Sequence, residues 1–416
     1  MHFLLLPFGS SGDVFPFIWL GRHLMARGHR VTMITGHGYA EQASAAGLEF
    51  VPVGGEVDEI SAMARDARFW TPGKGAWIYF TTAARVANAT LAAIESCGHA
   101  DLMIAPSAGF GARLAREKHG IPLITVHIHT VTFPSVYETP YLGRSLEWLK
   151  RVPPWVKRIL FNLPHKLERE VLPLLRRACR EAEVRPPWLP MHWRNSPDGA
   201  LVLFPEWHAA PQPDWPKPRF QWSFPLEDLS REKGLEPELE AFLAAGPAPV
   251  VFTPGSMNAH ASRFFEVALQ AVRELGCRAV FVTSQSAQLP AGLPPEVQVV
   301  KYAPFGTLLA RTAVFVHHGG MGTMSLAYQA CVPQLIMPLT HDQPDNAQRM
   351  TRLGVGLSLH PSEFTPDRVT SCLRRLLNEP AFKDAARRCA EKLRATPAPE
   401  EMLRWLEQRA IDCKAS

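Results

Sequence analysis

Two histidines followed by paired glycines, and a His-Asp-Gln triplet further on, are the groups in this chain best suited to chemistry. The first set stands in Val314-Phe-Val-His-His-Gly-Gly-Met-Gly-Thr323, the second in Pro338-Leu-Thr-His-Asp-Gln-Pro-Asp-Asn-Ala347. In each case an apolar run that reads as a buried strand (Ala313 to Val316, Gln334 to Met337) stops at polar residues. After the glycines a helical pattern, Met324 to Ala330, begins at once. The first N–H groups of a helix lack partners and its dipole favours negative charge, so strand, glycine turn and helix start can hold a phosphate. Gly319, Gly320, Gly322 and Thr323 let backbone N–H groups approach oxygens that a larger side chain would obstruct. The second strand end offers His341, Asp342 and Gln343, whose polar atoms suit sugar hydroxyls. One strand end shaped for a diphosphate and the next for a sugar imply a nucleotide-sugar site.

A second loop of interest is Gly9-Ser10-Ser11-Gly12-Asp13, between an apolar run and a helical pattern. It is not GxGxxG, and no acidic residue closes the next strand (Val31 to Thr35), so a dinucleotide fingerprint fails twice and an oxidoreductase is disfavoured. Asp13 is the first acidic residue of the chain and sits where loop meets helix. One reading makes it an N-cap, with Pro16 in the first turn. The other makes it functional, because open α/β sheets bind ligands at the carboxyl ends of their strands. The two are compatible.

The segment from Tyr302-Ala-Pro304 through Asp342-Gln343 resembles the donor-binding signature of family 1 glycosyltransferases, which have the GT-B fold. Gly9-Ser-Ser-Gly-Asp-Val-Phe-Pro-Phe17 and Arg27-Gly-His-Arg-Val31 look like that family's first strand, loop and helix, and Phe204-Pro205 and Pro213-Asp-Trp-Pro216 match mid-chain. Within the family the chain is most similar to the rhamnosyltransferases of rhamnolipid synthesis, sharing the form His-Asp-Gln-x-Asp-Asn-Ala. The resemblance implies an α/β protein with two Rossmann-like, doubly wound domains whose parallel sheets face a cleft. It implies inverting, metal-independent transfer, with Asp13 as catalytic base and Gly9, Ser10, Ser11 and Gly12 beside it as donor-binding residues. An alcohol is a far weaker acid than a carboxylic acid, so proton transfer to Asp13 must be concerted with attack. The resemblance also gives Ser256, His317, Gly319, Gly320, Gly322 and Thr323 the diphosphate, and Asp342 and Gln343 the sugar. Tyr302, Ala303 and Pro304 would face the base. Tyr302 stands where relatives commonly stack a Trp, which leaves uracil or thymine open.

Relatives with a histidine base support it with an aspartate at the end of a later strand. Here that strand reads Leu102-Met-Ile-Ala-Pro-Ser107 without a carboxylate, which fits an Asp13 that acts alone and argues against a His–Asp dyad. No cofactor is expected beyond the co-substrate. The preferred donor is dTDP-L-rhamnose and the preferred acceptor a hydroxy-fatty-acid lipid. The nearer alternative is UDP-glucose with a flavonoid, sterol or other small aglycone. A non-catalytic nucleotide-sugar-binding partner is a third reading, disfavoured because Asp13 and Asp342-Gln343 are all retained.

The elements that must position these groups alternate. Strands are expected at Phe3–Pro7, Val31–Thr35, Phe50–Val53, Leu102–Ala105, Leu123–His127 and Leu201–Phe204, with helices at Val14–Arg27, Tyr39–Ala46, Ala76–Ser96 and Gly109–Lys118 between them. A second series follows at Val250–Thr253, Ala279–Val282, Val297–Tyr302, Val314–His317, Gln334–Met337 and Gly356–Leu359. Such alternation gives parallel sheets with helices on both faces. The expected division is 1–225 for the acceptor domain and 241–390 for the nucleotide-sugar domain. Residues 391–416 would form a terminal helix that the resemblance returns to the first domain. The Trp- and Pro-dense stretch Pro186 to Phe224 reads as packing of irregular backbone.

Composition sets bounds. A chain of 416 residues is long for one core. The net charge of +5 is mild, compatible with an anionic donor and no argument for nucleic acid. Cysteines 97, 179, 277, 331, 372, 389 and 413 are odd in number and form no CxxC, so neither a disulfide framework nor a zinc site is expected. No Asp-x-Asp occurs, and a metal is not expected. The scattered cysteines make a reducing cytoplasm the expected location, and His2-Phe-Leu-Leu-Leu-Pro7, without a basic n-region, reads as a strand rather than a signal peptide. For the acceptor, Phe15, Trp70, Trp77, Phe80, Phe133 and Tyr137 suggest a lipophilic lining. Segment 144–185 carries eleven Lys/Arg against five Asp/Glu, a balance of +6, within broken helical patterns. It reads either as a solvated helix surface or as peripheral contact with an anionic inner membrane. Oligomeric state is not legible.

Overall fold

The structure is a computed structural model that describes residues 1–54, 58–71, 74–163, 166–226, 234–255 and 261–413. The chain divides into two compact units. The first comprises Met1–Pro140, Arg144–Pro225 and Pro397–Ser416; the second comprises Tyr141–Gly143 and Leu226–Thr396.

The first unit is built on a seven-stranded parallel sheet of β1 (His2–Leu5), β2 (Arg30–Thr35), β3 (Glu49–Pro52), β4 (Leu102–Pro106), β5 (Leu123–His127), β6 (Ala200–Val202) and β7 (Arg219–Gln221), in the order β3-β2-β1-β4-β5-β6-β7. The second carries β8 (Val250–Thr253), β9 (Ala279–Val282), β10 (Val297–Val300), β11 (Val314–His317), β12 (Gln334–Ile336) and β13 (Gly356–Ser358), all parallel, ordered β10-β9-β8-β11-β12-β13. Both sheets reverse direction of winding beside their first strand, between β1 and β4 and between β8 and β11. At such a switch point the strand ends open a crevice for ligand. The two sequence motifs sit there: Gly9–Asp13 follows β1, and His317–Thr323 follows β11.

The apolar runs have their physical reason in the layers. On β8, Val250 and Phe252 join one buried cluster while Val251 joins another, and on β11 Val314 and Val316 are separated from Phe315 in the same way. Strands buried on both faces read as continuous hydrophobic runs rather than as alternation. Each fully buried Phe of the second unit, such as Phe252, Phe265 and Phe281, contributes about 1.5–3 kcal/mol.

Three local departures from the sequence reading have identifiable causes. The first helix spans Ser11–Ala26 rather than starting at Val14. Ser10 occupies the N-cap, so Asp13 is the third helical residue and Pro16 lies inside the helix. The expected helix Ala76–Ser96 is two, Gly75–Arg85 and Ala87–Ser96. Around the break the Thr81 hydroxyl donates to Trp77 O at 2.7 Å and the Thr90 hydroxyl to Val86 O at 3.0 Å, back-bonding that bends helices. Strand β7, which lies between prolines, is three residues long and sits at the sheet edge, the place where nearby Pro is tolerated. The Trp-rich stretch is packing for the most part. Trp215 stacks on Phe133 with ring centroids 4.2 Å apart, and Trp222 stacks on Trp19 at 4.9 Å.

Candidate active site

In the first unit the loop after β1 turns through Gly9, whose φ of +133° is open to glycine but strained for other residues. A Cβ there would also stand 2.3 Å from Asp13 Oδ2. The turn therefore presses backbone against a carboxylate. Asp13 Oδ2 accepts from Ser10 N–H at 2.8 Å and from the Ser10 hydroxyl at 3.0 Å. Asp13 Oδ1 pairs with His129 Nε2 at 3.1 Å, and both side chains remain about one-fifth exposed, at 20% and 21%. A carboxylate offers about four lone-pair directions. Two on Oδ2 are taken and one on Oδ1, which leaves Oδ1 able to accept from one further donor.

The His129 contact corrects the expectation of an Asp13 without a histidine partner. The supporting residue is not a carboxylate at the end of β4 but an imidazole just past the end of β5. Its loop is braced from beneath. His127 Nδ1 and the Thr132 hydroxyl lie 2.7 Å apart, that hydroxyl donates to His129 O at 2.6 Å, and Arg194 donates to Thr132 O at 2.7 Å. Burial pushes His127 down to about 3, so it stays neutral; burial also lowers the Arg194 guanidinium to about 10. Two tyrosines close the back of the Gly9 turn: Tyr39 donates to Gly9 O at 3.3 Å and Tyr79 to Phe8 O at 3.2 Å. Burial raises Tyr39 to about 12 and Tyr79 well above its ordinary value, so neither is a base at neutral pH.

In the second unit, β11 ends in two histidines with different fates. His317 is fully buried; its Nε2 bonds Gln334 Oε1 at 2.9 Å, and its Nδ1 accepts from Gly319 N–H at 3.1 Å. Both ring nitrogens are committed to protein, so the expected contact of His317 with a diphosphate has no atom to make it. The polar edge belongs to His318. This ring is partly accessible, though its Nδ1 is itself buried and has no hydrogen-bond partner among the described residues, and Cβ atoms at Gly255 and Gly320 would come within 2.9 and 2.7 Å of the ring. Burial holds His318 down at about 4, against the opposing pull of Asp342. Neutral at physiological pH, it can donate one N–H.

The glycine turn behaves as its composition suggests. Gly319 has φ +92°, and a Cβ there would stand 2.7 Å from Ile336 Cγ2. Gly320 caps the helix Met321–Gln329, Gly322 is exposed with nothing near its missing Cβ, and Thr323 is half-buried in the first turn. Asp342 and Gln343 are buried rather than solvated. Gln343 Oε1 accepts from Leu339 N–H at 2.8 Å and Thr340 N–H at 3.2 Å, while Asn346 Nδ2 donates to Asp342 Oδ2 at 2.6 Å and to Gly319 O at 2.9 Å. Asn346, which the sequence reading leaves out, thus ties Asp342 to the glycine turn. Its signal is the i, i+4 spacing from Asp342. Behind it Asp345 is ion-paired with Arg349 at 2.6 Å in full burial and accepts from Tyr141 N–H at 2.8 Å. The Tyr302 ring is exposed, whereas Ala303 and Pro304 are buried at the start of the next helix. Ser256 lies outside the described residues.

The proposed acceptor residues separate. Trp77 and Tyr137 are exposed, and Phe15, Trp70 and Phe80 are half-buried. Phe133 is core: it is sandwiched by His127 at 4.0 Å and Trp215 at 4.2 Å and has no free face for a substrate. Among the described residues no group of three or more His, Cys, Asp or Glu is placed to hold a metal ion.

Comparisons with known proteins now bear on this geometry. Residues 3–138 match the profile of the glycosyltransferase family 28 N-terminal domain, and residues 267–408 that of the erythromycin biosynthesis protein CIII-like C-terminal domain. O-mycaminosyltylonolide 6-deoxyallosyltransferase of Streptomyces fradiae is 28% identical over 99% of this chain and 98% of its own length. Vancomycin aglycone glucosyltransferase of Amycolatopsis orientalis is 29% identical over 86% of each chain. Among solved structures, spinosyn forosaminyltransferase SpnP superposes with a TM-score of 0.73 at 22% identity, covering 99% of both chains. Spinosyn rhamnosyltransferase SpnG, complexed with thymidine diphosphate, reaches 0.70 at 17% identity over 98% of this chain and 100% of its own. Its low identity makes rhamnosyl transfer a distant likeness. With two glycosyltransferase domain profiles matched in order and relatives aligned end to end, the chain is a GT-B glycosyltransferase related to those of macrolide and other antibiotic biosynthesis.

Proposed function

We propose that this enzyme transfers a sugar, with inversion and without a metal, from dTDP-L-rhamnose to a hydroxyl of a lipophilic acceptor such as a hydroxy-fatty-acid lipid. The observation that carries the reading is Asp13, whose carboxylate is oriented by Ser10 and His129 and keeps one lone-pair direction of Oδ1 for an acceptor hydroxyl. In the reaction the acceptor oxygen attacks the anomeric carbon as its proton passes to Asp13 Oδ1, and the bond to the nucleoside diphosphate breaks. Negative charge then builds on the leaving diphosphate, where the N–H groups at the start of the helix Met321–Gln329 and the neutral His318 stand ready as donors. Asp342 and Gln343 offer a carboxylate and an amide to the sugar hydroxyls. The exposed Tyr302 ring supplies a face on which a pyrimidine stacks.

Support for thymidine comes from solved relatives in complex with thymidine diphosphate, SpnG and the glycosyltransferase VinC. A second reading, UDP-glucose with a small aglycone, draws on the name of the vancomycin relative. A lipophilic acceptor and peripheral contact with a membrane surface belong together in the first reading. No helix among the described residues is long and apolar enough to cross a membrane. The test is release of nucleoside diphosphate from each donor with a hydroxy-fatty-acid acceptor, followed by NMR of the product's anomeric centre. Release from dTDP-L-rhamnose with inverted configuration is expected; retention, or release from UDP-glucose alone, overturns this reading.

A further inference from the structure

The helix Pro154–Phe161 buries a lysine and exposes a tryptophan and an isoleucine, while Val156, Leu160 and Phe161 are half-buried. Lys157 is its buried residue, at 3% exposure, while Trp155 and Ile159, one turn apart on the same face, are 68% and 55% exposed. Water favours the opposite arrangement, with the cation out and the tryptophan in. The arrangement is held by specific bonds: Lys157 Nζ donates to Thr139 Oγ1 at 2.8 Å and to Val136 O at 3.2 Å. Desolvation lowers its pKa, so the fold bears a cost to keep this ammonium in and the apolar face out. The exposed apolar surface continues on both sides, with Trp148 in the preceding 3-10 segment and Leu163 just beyond the helix, each more than half exposed.

Large apolar side chains exposed together within sixteen residues of chain, Trp148 to Leu163, mark an interaction surface. Its chemistry narrows the occupant. Along 144–163, Arg144, Lys150, Arg151 and Arg158 are exposed cations and Glu147 is the one exposed acid. A two-fold contact with a second copy would set this positive rim against itself. An apolar face bearing tryptophans inside a cationic rim matches an anionic lipid surface, where apolar side chains enter the acyl boundary and Lys/Arg meet the headgroups. We infer that the segment 144–163 docks this enzyme on an anionic bilayer, with Trp155 and Ile159 as the inserted residues and Arg151 and Arg158 as headgroup contacts. This deepens the membrane contact raised with the proposed function. It does not depend on which sugar or acceptor is used, since neither is needed to observe it.

The test uses the full chain with phosphatidylcholine vesicles, alone and with added phosphatidylglycerol, by co-sedimentation and tryptophan fluorescence. Binding to the anionic vesicles with a blue-shifted emission, reversed by high salt, is expected. The double variant Trp155→Ser/Ile159→Ser should lose binding, and Arg151→Gln/Arg158→Gln should weaken it by roughly tenfold or more. Both pairs are exposed, and matching thermal unfolding curves will show the fold retained. Failure of the native chain to bind, or equal binding by the Trp155/Ile159 variant, overturns the inference. So does light scattering that finds a dimer which this variant dissociates, since the face is then a contact between copies. In none of these outcomes is the donor chemistry touched, so failure here and failure of the proposed transfer read out separately.

Discussion

At Asp13 the same side chain closes a helix and faces the solvent with one unspent lone pair. Removing its charge tests the second role with little loss of the first. Asp13→Asn should lower kcat by roughly 10²–10⁴-fold, the usual worth of a general base, while donor affinity stays within a few-fold. Unchanged turnover would remove Asp13 from the chemistry. The paired histidines give a sharper contrast. His318→Ala takes a donor from a charged ligand, worth about 1.5–3 kcal/mol, and should weaken nucleoside diphosphate binding about ten- to hundredfold with little change in stability. His317→Ala instead leaves Gln334 and the Gly319 N–H without their partner and should lower stability by about 1–3 kcal/mol. Calorimetric titration beside thermal unfolding separates the two; the reverse assignment of effects would restore His317 as the ligand. The sequence places a histidine here but cannot say which of two neighbours turns inward, because side chains alternate along a strand and register decides the face. His129 is hidden for a related reason. Its partnership with Asp13 joins residues far apart in the chain, and no local pattern encodes it.

At the scale of elements, the glycine turn and the last helix carry distinct expectations. Gly319→Ala meets both a left-handed φ and Ile336, so it should cost roughly 1–3 kcal/mol, read by urea unfolding. Gly322→Ala meets nothing, so stability should hold while donor affinity falls if phosphate oxygens approach there. Equal stability loss in both would deny the turn its special geometry. The terminal helix Glu400–Asp412 belongs to the first unit, with Glu407 accepting from Arg27 Nε at 2.6 Å and pairing with His29 at 2.7 Å. Those bonds hold the Glu407 carboxyl down at about 2 from its ordinary 4.5. A depressed acid stabilises the fold above its unfolded pKa, and that stability is lost as pH falls from about 4.5 to about 2. Glu407→Gln should therefore lose on the order of 1 kcal/mol at neutral pH, discounted for partial exposure, and nothing near pH 2. A difference that persists unchanged at pH 2 would deny the ion pair its role. Strands are legible in the sequence because burial on both faces leaves continuous apolar runs such as Val314 to Val316. The Val86 break and strand β7 are not, since hydroxyl back-bonding and edge pairing leave little trace in composition.

For the whole molecule, the same winding is used twice, and each sheet offers the crevice beside its first strand. That repetition explains why two glycine-bearing loops, remote from each other along the chain, both stand out in the sequence as candidate sites. It also explains what stays hidden. In the proposed reading donor and acceptor identity rest on a few loop side chains, among them the exposed Tyr302 and Tyr137, and a loop side chain carries no periodic signal in the sequence. Of the six aromatics expected to line an acceptor site, Phe133 is withdrawn into the core by Trp215, a pairing no periodicity announces. The helix Pro154–Phe161 is visible in sequence as a basic, apolar stretch, but the inward turn of Lys157 is not. The central claim is that the turn after β11 binds a pyrimidine nucleoside diphosphate, thymidine preferred. Thermal unfolding of the native chain with dTDP, UDP or NAD tests it directly, because a ligand at about 100 times its dissociation constant adds about 2.7 kcal/mol. Stabilisation by dTDP, smaller by UDP, absent with NAD and lost in His318→Ala is the predicted result; stabilisation by NAD alone, or by no nucleotide at all, would contradict it.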